Sequence, residues 1–174
     1  MALKKILTEP NKILRQKSLP VEKVDGDLQK LMDDMLETMY AAPGIGLAAI
    51  QVGVPKRIIV LDIASKEEPR NPMYFINPEI IEKSKDLSRY EEGCLSVPGQ
   101  FAEINRPEKC HIKYLDYYGQ PKELRAEGML ATCIQHEIDH LEGILFIDYL
   151  SKLKKSMIVK KLSRQKKQID RIVV

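Results

Sequence analysis

The chain has 174 residues, 44% of them apolar and 30% charged, with three cysteines and a formal net charge of +3. This composition fits a single folded domain and excludes a disordered or fibrous chain, a disulfide framework and, with no apolar run of about 18 residues, a transmembrane span. The charge is uneven: residues 151–174 hold nine Lys/Arg against one Asp, a net +8, whereas residues 1–150 hold nineteen against twenty-four, a net −5.

In chain order, Met1–Pro10 holds no apolar stretch before Glu9 and Pro10, so it does not read as a signal peptide. With so few cysteines, a reducing, cytoplasmic setting is expected. Residues 12–19 predict a short turn or helix before Pro20. Residues 26–41 predict an amphipathic helix, because Leu28, Leu31, Met32, Met35, Leu36 and Met39 recur at three- and four-residue spacing. Asp25 is placed to cap it, and Pro43-Gly44 stops it, with Gly44-Ile45-Gly46 opening a loop.

Strand patterns follow at Arg57–Ile63, at Met73–Ile81 and at Cys110–Asp116. Asn77-Pro78 interrupts the second, which predicts an edge strand or a bend. A turn is expected at Tyr118-Gly119-Gln120-Pro121. A helix over about 127–142 ends at Gly143, a strand or turn spans Ile144–Tyr149, and a basic helix runs from about Ser151 to Gln168. This order points to an α+β fold: one domain of mostly antiparallel β-sheets around a central helix, with a C-terminal helix.

The sharpest motif lies on that central helix: His136-Glu137-Ile138-Asp139-His140. Residues i and i+4 share a helix face, so the two imidazoles reach one metal ion while Glu137 stands beside a metal-bound water. A catalytic site of this kind needs a third protein ligand and one open position. A histidine three residues after Gly143 would supply it in one class of metallopeptidase, but that residue is Phe146; an acidic residue on a later helix would supply it in another, but none occurs between Asp148 and Asp170. The ligand must then lie upstream. Cys94, Cys110, His111 and Cys133 are the candidates. Gly93 lets the backbone turn closely beside Cys94. Cys110 and Cys133 read by default as small buried hydrophobes, with Cys133 one turn before His136.

Three segments, in order and spacing, resemble the peptide deformylase family: Gly44-Ile45-Gly46-Leu47-Ala48-Ala49-Ile50-Gln51, Glu92-Gly93-Cys94-Leu95-Ser96 and Gln135-His136-Glu137-Ile138-Asp139-His140. The resemblance implies a cytoplasmic metal-dependent hydrolase that removes the formyl group from the N-terminal formyl-methionine of nascent polypeptides. It implies Cys94, His136 and His140 as metal ligands and Glu137 as the general acid and base. The Gln51 side chain and the Leu95 N–H would form the oxyanion hole. Gly44, Ile45, Gly46, Tyr90, Gly93, Met129, Thr132 and Cys133 would bind substrate. The family uses one divalent ion, natively Fe2+, with Zn2+, Ni2+ or Co2+ also accepted.

Two positions depart from the family's pattern: Phe101 stands where many relatives carry arginine near the substrate mouth, and Tyr90 replaces an aliphatic residue. Asp139 reads as structural support, paired with Arg106. The resemblance divides the chain into a catalytic domain over 1–150 and a basic helical tail of the same domain over 151–174. A C-terminal helix of this kind docks some relatives on the ribosome, and Lys152, Lys154, Lys155, Lys160, Lys161, Arg164, Lys166 and Lys167 offer a phosphate-binding face. Neither a membrane nor sequence-specific DNA is an expected partner. Two rival functions remain at this level: a metallopeptidase using the same helix, and a ribosome-binding protein with a structural zinc site closed by a fourth ligand, Cys110 or Cys133.

Overall fold

The computed structural model describes residues 2–172. Its elements are α1 (Gly26–Ala41), β1 (Gly46–Ala48), β2 (Ile58–Leu61), β3 (Met73–Lys83), β4 (Leu87–Cys94), β5 (Val97–Pro107), β6 (Lys109–Leu115), β7 (Pro121–Glu127), α2 (Gly128–Leu141) and α3 (Lys152–Ile172). Short 3-10 turns cover Lys12–Arg15 and Phe146–Tyr149, so the segment before α3 is a turn and not a strand. The strands form a five-stranded sheet in the order β1-β2-β3-β6-β7 and a two-stranded sheet of β4 and β5. All pairings between these strands are antiparallel, as the α+β reading expects, and one isolated parallel bridge joins Leu19 to Lys56.

The five-stranded sheet is covered on both faces. Ile58 and Val60 of β2 pack with Leu28, Met32, Met35 and Met39 of α1. Ile59 and Leu61 face the other way and pack with Ala131, Ile134, Ile138 and Leu141 of α2. This double coverage explains why β2 reads as an unbroken apolar run. The Asp25 side chain accepts a hydrogen bond from the Leu28 N–H at 2.9 Å, capping α1.

The Asn77-Pro78 interruption does not make β3 an edge strand, since β3 lies at the centre of the sheet. The bend is absorbed locally: Asn77 has φ 51°, and the β3–β6 register shifts between Ile76 and Glu79. The Asn77 side chain accepts from the Val21 N–H and donates to the Val21 carbonyl, both at 2.8 Å, tying the N-terminal segment to the sheet.

Four further strands, β1, β4, β5 and β7, escape the sequence patterns. Their segments are glycine-rich, very short or heavily charged, and their strand state comes from pairing rather than from an apolar period. Gly143, the expected helix stop, has φ 75°, and a Cβ there would run into the Arg15 carbonyl oxygen. The basic helix α3 extends to Ile172. Most of it is exposed, but Leu162 is buried with Val97, Ile104, Leu145, Phe146 and Ile147, with Ile158 and Val159 packed alongside. Val173 and Val174, the end of the expected tail, lie outside the described residues. No helix among the described residues is long and apolar enough to cross a membrane.

Candidate metal centre

α2 packs between the two sheets and brings its polar turn to their junction. His136 and His140 are both buried there, one turn apart, with ring centroids 5.0 Å from each other. β4 delivers Cys94 as its last residue, and the pairing of Cys94 with Val97 makes the chain turn back at once into β5. The Cys94 Sγ lies 3.3 Å from His140 Nε2. The ligand atoms of Cys94, His136 and His140 all lie within 4.8 Å of one another, and among the described residues no other group of three or more His, Cys, Asp or Glu does so.

Of the other upstream candidates, Cys110 is buried in the core between the large sheet and α2, and His111 Nε2 faces Glu123 at 2.8 Å. Cys133 lines the adjacent cleft, and burial pushes its thiol up to about 12. None joins the cluster, so three protein donors and no fourth converge. A sulfur and two imidazole nitrogens at this spacing suit a divalent transition ion that keeps one coordination position for solvent.

Of the two imidazoles, His136 is held from behind, whereas His140 Nδ1 is buried without a hydrogen-bond partner. His136 Nδ1 sits 2.8 Å from Glu92 Oε1, which leaves Nε2 for the cluster. Arg106 grips Glu92 through Nε and Nη2 at 2.7 and 2.9 Å and reaches Asp139 through Nη1 at 2.8 Å. The Tyr149 hydroxyl donates to the same Asp139 oxygen at 2.7 Å. Against burial, which opposes it, hydrogen bonds from His136 and Arg106 hold the Glu92 carboxyl below its ordinary range. Also against burial, the Glu92 and Asp139 carboxylates hold the Arg106 guanidinium above its own. The expected Asp139–Arg106 pair is present, but Glu92 and Ser96 were not singled out beforehand. Glu92 stands two residues before Cys94 on β4, a strand that the sequence patterns miss, so no local signal marked its role.

Glu137 is buried next to the cluster, with Oε1 at 4.0 Å from His136 Nε2. Burial pushes its carboxyl up to about 7, and its Oε2 has no hydrogen-bond partner. A carboxyl in that range accepts and returns a proton with little bias near neutrality. Gly46 is required by this arrangement, because a Cβ on it would stand 2.5 Å from Glu137 Oε1. The Gln51 side chain is fixed at both ends: Oε1 accepts from the Ala48 N–H at 2.9 Å, and Nε2 donates to Ser96 Oγ at 3.0 Å while lying 3.6 Å from Cys94 Sγ.

These groups open into a cleft of about 490 Å³. Gly44, Ile45, Gly46, Tyr90, Gly93, Met129, Thr132 and Cys133 all line it, together with Gln51, Leu95, Phe101, His136 and Glu137. Leu95 folds over Gly44, whose missing Cβ would be 2.6 Å from Leu95 Cδ1. Phe101 pairs with Gly93 across the β4–β5 ladder and is 65% exposed, so it forms an apolar rim. The cleft therefore combines an apolar recess, backbone-lined glycines and the buried Glu137 carboxyl, which has an unpartnered oxygen, beside a three-donor metal cluster.

Known proteins repeat this arrangement of sequence and fold. Residues 3–156 match the family described as Polypeptide deformylase. The chain is 67% identical to a peptide deformylase of Pelagibacter ubique over 174 residues, covering 100% of both chains. It is 60% identical to one from Maricaulis maris over 171 residues, covering 98% of each. Among solved structures, the peptide deformylase from Ehrlichia chaffeensis superposes with a TM-score of 0.91 at 43% identity, over 96% of this chain and 98% of that one.

Proposed function

The chain belongs to the polypeptide deformylase family, and from that premise we infer that it is a metal-dependent hydrolase that removes the N-terminal formyl group from formyl-methionyl nascent polypeptides, releasing formate. The observation that carries this reading is the three-donor cluster of Cys94, His136 and His140 beside the buried Glu137 in an open cleft. These three side chains are the ligands we assign to one divalent ion, natively Fe2+, with Zn2+, Ni2+ or Co2+ able to take the same donors. When bound, such an ion supplies a Lewis acid that acidifies water near neutral pH and polarises a carbonyl.

The rest of the chemistry belongs to the protein. Glu137 takes the proton of the attacking water and returns it to the amine nitrogen as the formyl C–N bond breaks. The Gln51 amide and the Leu95 N–H meet the oxygen on which negative charge develops, and one such donor is typically worth about 3–4 kcal/mol. Ser96 holds the Gln51 amide in place. The methionine side chain enters the recess lined by Ile45, Tyr90, Gly93, Met129, Thr132 and Cys133. The peptide backbone runs beside Gly44 and Gly46, where β1 is an edge strand of the large sheet and a peptide can add to it.

The deciding measurement is formate release against peptide-bond cleavage on formyl-Met-Ala-Ser, with protein purified anaerobically and its metal content determined. Formate alone, with one iron per chain, is the expected result. Cleavage of the Met-Ala bond would instead indicate a metallopeptidase, and zinc with no turnover of either bond would indicate a structural site.

Residues 1–150 form the catalytic part in this reading, and 151–174 a basic tail of the same domain. Arg164, Lys166 and Lys167 lie on the exposed end of α3, beyond the buried Leu162. We assign this end to ribosomal RNA, through phosphate contacts that weaken with salt. Deleting the whole tail would strip Ile158 and Leu162 from the core, so charge reversal is the cleaner test. The triple variant R164E/K166E/K167E should lose co-sedimentation with ribosomes at low salt while turning over formyl-Met-Ala-Ser normally. Unchanged co-sedimentation would remove the tail from this role.

A further inference from the structure

A second groove, of about 730 Å³, lies between β5 and α3. It adjoins the catalytic cleft, because Gln100 and Phe101 line both. One wall is β5, with Ala102, Glu103 and Asn105; the other is a stripe of α3 made of Lys154, Met157, Ile158 and Lys161. Those four positions follow i, i+3, i+4 and i+7 spacing, so they share one helix face. The stripe is apolar in its middle and carries a lysine at each end. The two lysines are seven residues apart, about 10 Å along a helix, which is the reach of about three residues of extended chain. Arg89 also lines the groove and pairs with Glu103 at 3.5 Å. No ion pair engages Lys154 or Lys161 among the described residues. The groove thus keeps two unneutralised positive charges flanking exposed Met157 and half-buried Ile158.

We propose that this groove carries the continuation of the substrate: the segment of the nascent peptide beyond about its third residue, bound in extended form, with acidic side chains preferred over basic ones. The proposal rests on the deformylase reading of the cleft. A peptide whose formyl end lies at the metal cluster and that leaves over the Phe101 rim reaches the groove, since Gln100 and Phe101 line both cavities. Phe101, 65% exposed between the two, offers an apolar surface for the chain to cross. The lysine pair then selects among downstream sequences by charge, an interaction that salt screens.

The test compares kcat/KM for formyl-Met-Ala-Ser with that for two ten-residue formyl peptides beginning with the same three residues. One carries Asp or Glu at positions 5–8, the other Lys at the same positions. At low salt the acidic peptide is expected to exceed the tripeptide by about three- to tenfold, the effect of two exposed charge pairs, with the basic peptide at or below the tripeptide. The advantage should vanish in 0.5 M NaCl, which shortens the Debye length to about 4 Å. In the double variant K154E/K161E the order of the two long peptides should reverse while the tripeptide rate is unchanged. That tripeptide rate also reports that the variant is folded. Equal rates for all three peptides in the unmodified protein, as a groove reserved for RNA would give, overturn the proposal. So does a charge preference that survives K154E/K161E. Absence of formate from the tripeptide itself would count against the deformylase reading instead, so the two failures are distinguishable.

Discussion

Replacing Glu137 with glutamine is expected to lower kcat/KM for formyl-Met-Ala-Ser about a thousandfold, in the middle of the range for losing a general acid–base, while the bound metal stays in place. The two side chains have nearly the same volume, so the packing against Gly46 and the cleft wall survives. What glutamine lacks is the ability to accept a proton and give it back. In the folded protein the carboxyl is buried, lifted to about 7, and has one oxygen without a partner. That is an unfavourable place for a purely structural acid, since a buried carboxyl oxygen without a hydrogen bond costs about 1–3 kcal/mol. Removing the charge should therefore leave stability equal or slightly raised. Metal analysis, formate release and a urea denaturation curve on the same preparation check all three parts. Activity within tenfold of the unmodified protein would exclude Glu137 as the proton carrier.

The second large effect is on stability. Arg106→Met is expected to destabilise the fold by about 3–5 kcal/mol, the cost of leaving a buried charge without its partner. Arg106 is 4% exposed and, among the described residues, is the one permanently charged partner of Glu92, whose other partner is the His136 imidazole. Without it, Glu92 keeps only His136 and Asp139 only Tyr149 as side-chain hydrogen-bond partners among the described residues, and neither carboxylate has a guanidinium to balance its charge. Metal affinity should fall as well, because Glu92 orients the His136 ring; losses of about 10- to 100-fold accompany such changes. Tyr149→Phe is the matching control. It removes one hydroxyl hydrogen bond to Asp139 and should cost only about 1 kcal/mol. Chemical denaturation with metal titration reads both quantities. A loss below 1 kcal/mol in Arg106→Met would mean that the carboxylates find water or protonate at little cost, and the network would not be what holds His136.

The placement of α1 and of the two histidines was legible in the amino-acid order because both depend on local periodicity. An amphipathic stripe at 28, 32, 35 and 39 needs only helix geometry to define a face, and α1 runs over the expected 26–41. Likewise, four residues along a helix are enough to bring His136 and His140 together, whatever the rest of the chain does. The turn at Gly143 and the bend at Asn77 were also marked by residues with special backbone freedom. The bend's position in the sheet was not. Pro78 argued for an edge, yet β3 is central, because strand order is decided by which strands pair across the chain and leaves no local trace.

The same distinction separates the parts of the site. Four residues, Cys94, Cys110, His111 and Cys133, were open as the third donor on chemistry alone. Cys94 meets His140 across a separation of 46 residues only because β4 pairs with β5 and that hairpin packs on α2. The support behind His136 is more distant still from any local pattern: Glu92 and Arg106 lie 14 residues apart on neighbouring strands, and Asp139 is brought to them by the helix. Local backbone preferences thus determined the helix, its paired imidazoles and the chain reversals. Only long-range packing, which lowers the cost of burying charge by bringing opposite charges together, decided which sulfur joins them and which side chains keep them aimed.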